Sequence, residues 1–197
     1  MHRLLTGSGS NSSIVLNGPS GIVRDPNSNI LYIACVYNHE IVSYPSGNIV
    51  AGGNGQGINR TQLKSPIRLV YDSFSNSFII GNFGAHNIIR WSLGASNWTH
   101  IVGSISGSLG NTSTLLNQPV GVTLDHMGNI YVADSGNHRI QLILNGQSEG
   151  TTVAGINGIY GSNSTLLYRP YWVKLDNQLN LYVADTFNGR IQKFLRY

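Results

Sequence analysis

The sequence is poor in charge, cysteine, proline and long apolar runs, and each shortage excludes something. Charged residues make up only 10% of 197 residues while 41% are hydrophobic, which describes a weakly charged globular protein and excludes a disordered one. Cys35 is the only cysteine, so neither an intrachain disulfide nor a four-cysteine zinc site can form, and the redox compartment stays open. Six prolines against 24 glycines, with many Asn, Ser and Thr, suit short strands joined by turns better than helices. No stretch approaches the roughly 18 apolar residues of a membrane span. The start, "MHRLLTGSGS", lacks an apolar core long enough for a secretory signal.

What is present is a repeat. Four segments align: "GPSGIVRDPNSNILYIACVYNHEIVSY" from Gly18, "SPIRLVYDSFSNSFIIGNFGAHNIIRW" from Ser65, "QPVGVTLDHMGNIYVADSGNHRIQLI" from Gln118 and "RPYWVKLDNQLNLYVADTFNGRIQKF" from Arg169. Their prolines, Pro19, Pro66, Pro119 and Pro170, are 47, 53 and 51 residues apart. Six residues after each stands an aspartate (Asp25, Asp72, Asp125, Asp176), and four further on an asparagine (Asn29, Asn76, Asn129, Asn180). Each unit reads as strand, Asp-to-Asn turn, strand, second turn and third strand, with a fourth strand before the next proline ("NIVAGG", "THIVGS", "TTVAGI"). Four antiparallel strands per unit at this period predict an all-β fold, a β-propeller of four-stranded blades. The blades span about 16–53, 63–104, 116–156 and 167–197, the last completed by residues 1–10, because "HRLLTGSG" reads as a fourth strand and "RIQKFLRY" as a third.

The turns "YVADSGNHRI" and "YVADTFNGRI" resemble those of NHL-repeat proteins. The resemblance covers nearly the whole chain and is closest in blades three and four. It implies a propeller, usually of six blades, of which this chain supplies four. It also implies a choice of functions: protein-binding and RNA-binding modules of ubiquitin ligases, extracellular sensor domains and a peptide-amidating lyase share the fold.

The polar turn that carries the resemblance is read as structural. Asp134 and Arg139, and Asp185 and Arg190, stand five residues apart across it, whereas blade two has Asn82 and Asn87 and blade one Cys35 and Glu40. Acid and arginine are present or absent together, as an ion pair clipping a turn would be. His39, His86 and His138 occupy equivalent turn positions, which spreads them around the ring and leaves no zinc site. Of the Asp-to-Asn turns only "DPNSN" alternates oxygen ligands, and it lacks the glycine and glutamate of a calcium loop. No GxSxG, HExxH or phosphate-binding loop is found, and "GGNGQG" is a plain loop, so no cofactor, metal or catalytic residue is assigned.

Five N-x-S/T sequons occur, at Asn11, Asn59, Asn97, Asn111 and Asn163. All but Asn97 lie seven or eight residues before a blade proline, in the loop entering a blade, on the same end as the "SGNH" turns. Glycosylation there would mean secretion. With six of eight acids committed to turns, the rest of the surface is mildly basic, but its Lys and Arg are scattered, so RNA is a weakly supported partner and DNA is not expected. Two residues after the proline, blades one and three have Gly21 and Gly121 where blades two and four have Arg68 and Trp172. Lys64, Arg68, Arg169, Tyr171 and Trp172 are therefore expected to form an aromatic and basic rim at the channel mouth. The combined expectation is a non-enzymatic module presenting a loop-rich face to a protein or glycan partner. An RNA-binding propeller is the alternative, and a lyase-like enzyme the third.

Overall fold

The computed structural model describes residues 15–196 as four antiparallel blades. Blade one comprises β1 (Pro19–Arg24), β2 (Leu31–Cys35), β3 (Glu40–Tyr44) and β4 (Ile49–Gly52). Blade two comprises β5 (Pro66–Asp72), β6 (Ser77–Asn82), β7 (Asn87–Ser92) and β8 (Thr99–Gly103). Blade three follows with β9 (Pro119–Leu124), β10 (Ile130–Asp134), β11 (Arg139–Ile143) and β12 (Gly150–Gly155). Blade four shows β13 (Pro170–Leu175), β14 (Leu181–Asp185) and β15 (Arg190–Phe194). Its expected completion by residues 1–10 lies outside the described residues.

The first strand of each blade is innermost, and these strands pack in succession: β1 on β5, β5 on β9, β9 on β13. Among the described residues no comparable packing joins β13 to β1. Because each inner blade is sandwiched, alternate residues of one strand face opposite neighbours, and both sets are covered. All six residues of β6 are buried for this reason. Phe78 and Ile80 pack toward blade one with Tyr32, Ala34 and Ile41, whereas Ile79 packs toward blade three with Val122, Ile130 and Val132. A leucine three residues before the blade proline (Leu63, Leu116, Leu167) is fully buried between blades and anchors the loop that enters there.

Pairing of Pro19 with Cys35 puts the start of the inner strand beside the second turn of its blade. The starts of β1, β5, β9 and β13, the second turns and the entry loops therefore share one end, the entry face. The Asp-to-Asn turns share the other. There Asp125 and Asp176 each accept two backbone N–H groups and an asparagine amide, and Asp72 holds Arg90 at 2.8 Å. These carboxylates close turns, one per blade.

Two features re-aim the inner strands at the entry face. Each carries a bulge immediately after its proline, which turns the next two side chains away from simple alternation. Gly121 lies so close to the fourth blade that a Cβ would sit 2.8 Å from the Tyr171 carbonyl, and one at Gly21 would sit 2.7 Å from that of Ile67. These two positions thus need glycine for the blades to meet.

Candidate functional site on the entry face

The turn clips set the face. Asp134 Oδ1 accepts the Asn117 backbone N–H at 2.7 Å, and Oδ2 accepts Asn137 Nδ2 and Arg139 Nε, each at 2.8 Å. Arg139 in turn donates to the Thr112 and Leu115 carbonyls. Asp185 repeats this with Tyr168 N–H, Asn188 and Arg190, and Arg190 reaches the Ser162, Asn163 and Leu166 carbonyls. The pair thus nails the entry loop to its blade as well as crossing the turn. Blade two lacks both acid and arginine, and there Asn82 accepts the Lys64 N–H at the same place. The acceptor is the common element and the charge is an addition. Burial pushes the Asp134 carboxyl upward against its donors. Burial would also raise Asp185, but donors from Tyr168, Asn188, Arg190 and Gln192 prevail and hold it below the usual carboxylate range.

The turn histidines are latches between blades. His39, His86 and His138 adopt the left-handed conformation, and each Nδ1 accepts the backbone N–H of the residue before the next proline: Ser65, Gln118 and Arg169, at 3.0, 3.1 and 3.2 Å. An accepting Nδ1 fixes the neutral tautomer with its proton on Nε2. Burial lowers the pKa of all three. Ser65, Gln118 and Arg169 themselves have positive φ, an unfavourable backbone state for such residues. The latch holds the chain in it and so fixes where Arg169 begins. Among the described residues no three His, Cys, Asp or Glu side chains gather into a group able to hold a metal ion.

The expected rim divides. Arg68 and Trp172 come together, the guanidinium 4.4 Å over the indole. The backbone of Trp172 is itself packed closely on Gly121 of the third blade's inner strand. Arg68 also donates to the Ser20 carbonyl, while its Nε is buried without a partner. Arg169 lies 5.8 Å from the Phe187 ring and donates to Gln118 Oε1. Tyr171 packs against Phe187, with centroids 6.0 Å apart. Lys64 belongs elsewhere: it lines a separate loop cleft with Gln56, Ile58 and Ser106, set apart from Arg68 by the left-handed Ser65 and the bulge after Pro66. Asn59, Asn97, Asn111 and Asn163 are exposed, and Asn11 lies outside the described residues.

Sequence reasoning missed an aromatic row. Tyr160 stacks on Tyr168 with centroids 4.7 Å apart, both rings meet His138, and Tyr168 meets Phe187 at 5.2 Å. Tyr171 extends this row from Phe187 onto the inner strand, where Trp172 is the next residue. Tyr160, Phe187, Tyr171 and Trp172 are exposed. A signal existed: two residues before the proline, Tyr168 replaces Asn17, Lys64 and Asn117, and Phe187 replaces the Gly136 of blade three.

Comparisons with known proteins agree with this architecture. A family model described as NHL repeat matches residues 116–141, the third blade as far as β11. NHL repeat-containing protein 3 of Mus musculus is 31% identical over 112 residues, 54% of this chain and 31% of that protein. Protein SUPPRESSOR OF QUENCHING 1, chloroplastic, of Arabidopsis thaliana is 24% identical over 94% of this chain and 20% of that one. The chain thus spans less than a third of the length of these relatives. Among solved structures, an auxiliary nutrient binding protein from Bacteroides ovatus superposes with TM-score 0.67 at 17% identity, covering 92% of this chain and 49% of that one. A gluconolactonase from Xanthomonas campestris gives 0.69 at 14%, covering 93% and 60%. Virginiamycin B lyase from Staphylococcus aureus gives 0.59 at 16%, covering 98% and 61%. At such identities the likeness is one of fold, and the fold carries both binding proteins and enzymes.

Proposed function

We propose that this chain, a β-propeller carrying an NHL repeat, is a non-enzymatic binding module whose entry face receives a protein or glycan partner. The observation that carries this reading is the exposed aromatic row from Tyr160 to Trp172, with Arg68 and Arg169 at its inner end. Large rigid aromatics lose little conformational entropy on contact, and together with arginine they are the residue types enriched where binding energy concentrates. A blade scaffold latched by histidines and clipped by Asp134 and Asp185 holds them in place beforehand, which lowers the ordering cost of association. The histidines serve as backbone acceptors, which supports binding over catalysis at this face.

Glycan and peptide arrays probed with the wild-type protein test the reading. Replacing Tyr160 and Phe187 with alanine should abolish any saturable binding, whereas Phe74→Ala, exposed on the opposite face, should leave it intact. Binding indifferent to the double substitution would overturn it. Aromatic rows also stack nucleic-acid bases. Salt-sensitive binding of single-stranded RNA, weakened by Arg68→Ala, would transfer the site to that alternative.

A further inference from the structure

The cations at the inner end of the aromatic row lack acidic partners. Of the ion pairs among the described residues, none includes Arg68, Arg169 or Lys64. Asp25, Asp72, Asp125 and Asp176 close turns on the opposite face, and Asp134 and Asp185 are saturated by their own donors. Glu40, in the first blade, receives Asn38. Both guanidiniums lie against aromatic rings, Arg68 over Trp172 and Arg169 beside Phe187; one nitrogen of each is engaged, by the Ser20 carbonyl and by Gln118 Oε1, and the remaining terminal N–H groups have no acceptor among the described residues. Arg68 Nε is buried with no acceptor, which costs free energy and leaves the guanidinium short of partners.

Resting on the reading of the entry face as a binding platform, we infer that its ligand is an acidic saccharide, whose ring faces lie on the aromatic row and whose carboxylate is taken by Arg68, with Arg169 beside Phe187 adding a second positive charge to the row. The two halves of the site ask for two halves of such a molecule. The C–H face of a sugar ring is apolar and flat enough to cover Tyr160, Phe187 or Tyr171. A carboxylate is planar and accepts two parallel N–H bonds from a guanidinium edge. The distribution of charge favours this over a nucleic acid. A phosphodiester chain carries an anion at every step and calls for cations along its whole path. Here the row has Arg68 beside Trp172 and Arg169 beside Phe187, while Tyr160, Tyr168 and the neutral His138 add no cation.

Trp172 provides the measurement, because Trp91 and Trp98 are buried and Trp172 is exposed. Titration with trigalacturonic acid is expected to change its fluorescence saturably, with a Kd at least tenfold below that for neutral maltotriose. Arg68→Gln and Arg169→Gln should each remove most of that preference, and the second guards against a folding defect in the first. Phe74→Ala should bind as the wild type does. Equal affinity for the two sugars would overturn the acidic assignment while leaving the platform standing. Displacement by inorganic phosphate at equal concentration would reduce the site to a simple anion site and overturn it too. Tighter binding of oligouridylate in about 0.15 M salt would overturn it in favour of RNA. No response to any of these probes would also overturn it, and the arrays would then judge the platform independently.

Discussion

Arg68 and Trp172, from the second and fourth blades, lie in contact over the inner strand of the third, with the guanidinium 4.4 Å from the centre of the indole. The contact joins two blades that are not neighbours in the chain, while Gly121 lets the third blade approach the backbone of Trp172 closely. It makes Arg68 both a structural bridge and the candidate anion receptor, two roles that separate experimentally.

The structural role is measurable as a coupling energy. Arg68→Met, Trp172→Ala and the double variant, unfolded in urea, should be non-additive by about 1 kcal/mol, the size of a partly desolvated cation–π contact. Strict additivity would show that the two side chains are only neighbours.

The two ion-paired clips should differ in cost. Asp134 is fully buried and Arg139 nearly so, whereas Arg190 is partly exposed, 29% at its side chain. Asp134→Asn leaves a buried cation uncompensated and is expected to lower stability by about 3 kcal/mol, against about 1 kcal/mol for Asp185→Asn. Blade two supplies the remedy, since Asn82 and Asn87 stand where the pair would be. Asp134→Asn combined with Arg139→Asn should therefore recover part of the loss in a urea titration, and a further fall would contradict the equivalence.

The histidine latches make stability depend on pH. Burial lowers the folded-state pKa of His39, His86 and His138, so below the ordinary value of about 6.5 the unfolded chain binds protons that the folded chain resists. Stability is then complete above about pH 6.5 and declines as pH falls, because a protonated Nδ1 can no longer accept the next blade's N–H. The carboxylates held low, among them Asp185 and Asp176, add their loss only below about pH 4. Urea midpoints measured between about pH 7 and pH 5 should fall steadily, less so in His86→Gln. A flat profile would rule the latches out.

Cys35 should report the opening of blade one. It is fully buried, and burial pushes its thiol pKa up to about 11, so the thiolate is scarce at neutral pH. Labelling by a disulfide reagent at about pH 8 should be slow in the native protein and immediate in urea. Rapid native labelling would mean that blade one opens far more readily than its buried face implies.

The blades could be read from the chain because everything that defines them is local. The proline, the Asp-to-Asn turn and the alternating strands recur at one register, and each is set by its neighbours in sequence. The Asp134 and Asp185 pairs were legible for the same reason, five residues being a single turn. What lies between blades was not legible. Lys64 and Arg68, four residues apart, diverge because a bulge and a left-handed residue intervene. Tyr160, Tyr168, Phe187 and Tyr171 come from a loop, a strand entry, a turn and an inner strand, and only blade packing lines them up. The histidines showed their even spacing in sequence but not their task, which is to grip the following repeat. Sequence alone determined the repeated unit, since its hydrogen bonds and turns close within some fifty residues. The tertiary structure alone decided which side chains share the entry face, because their distances depend on how each blade packs on the next.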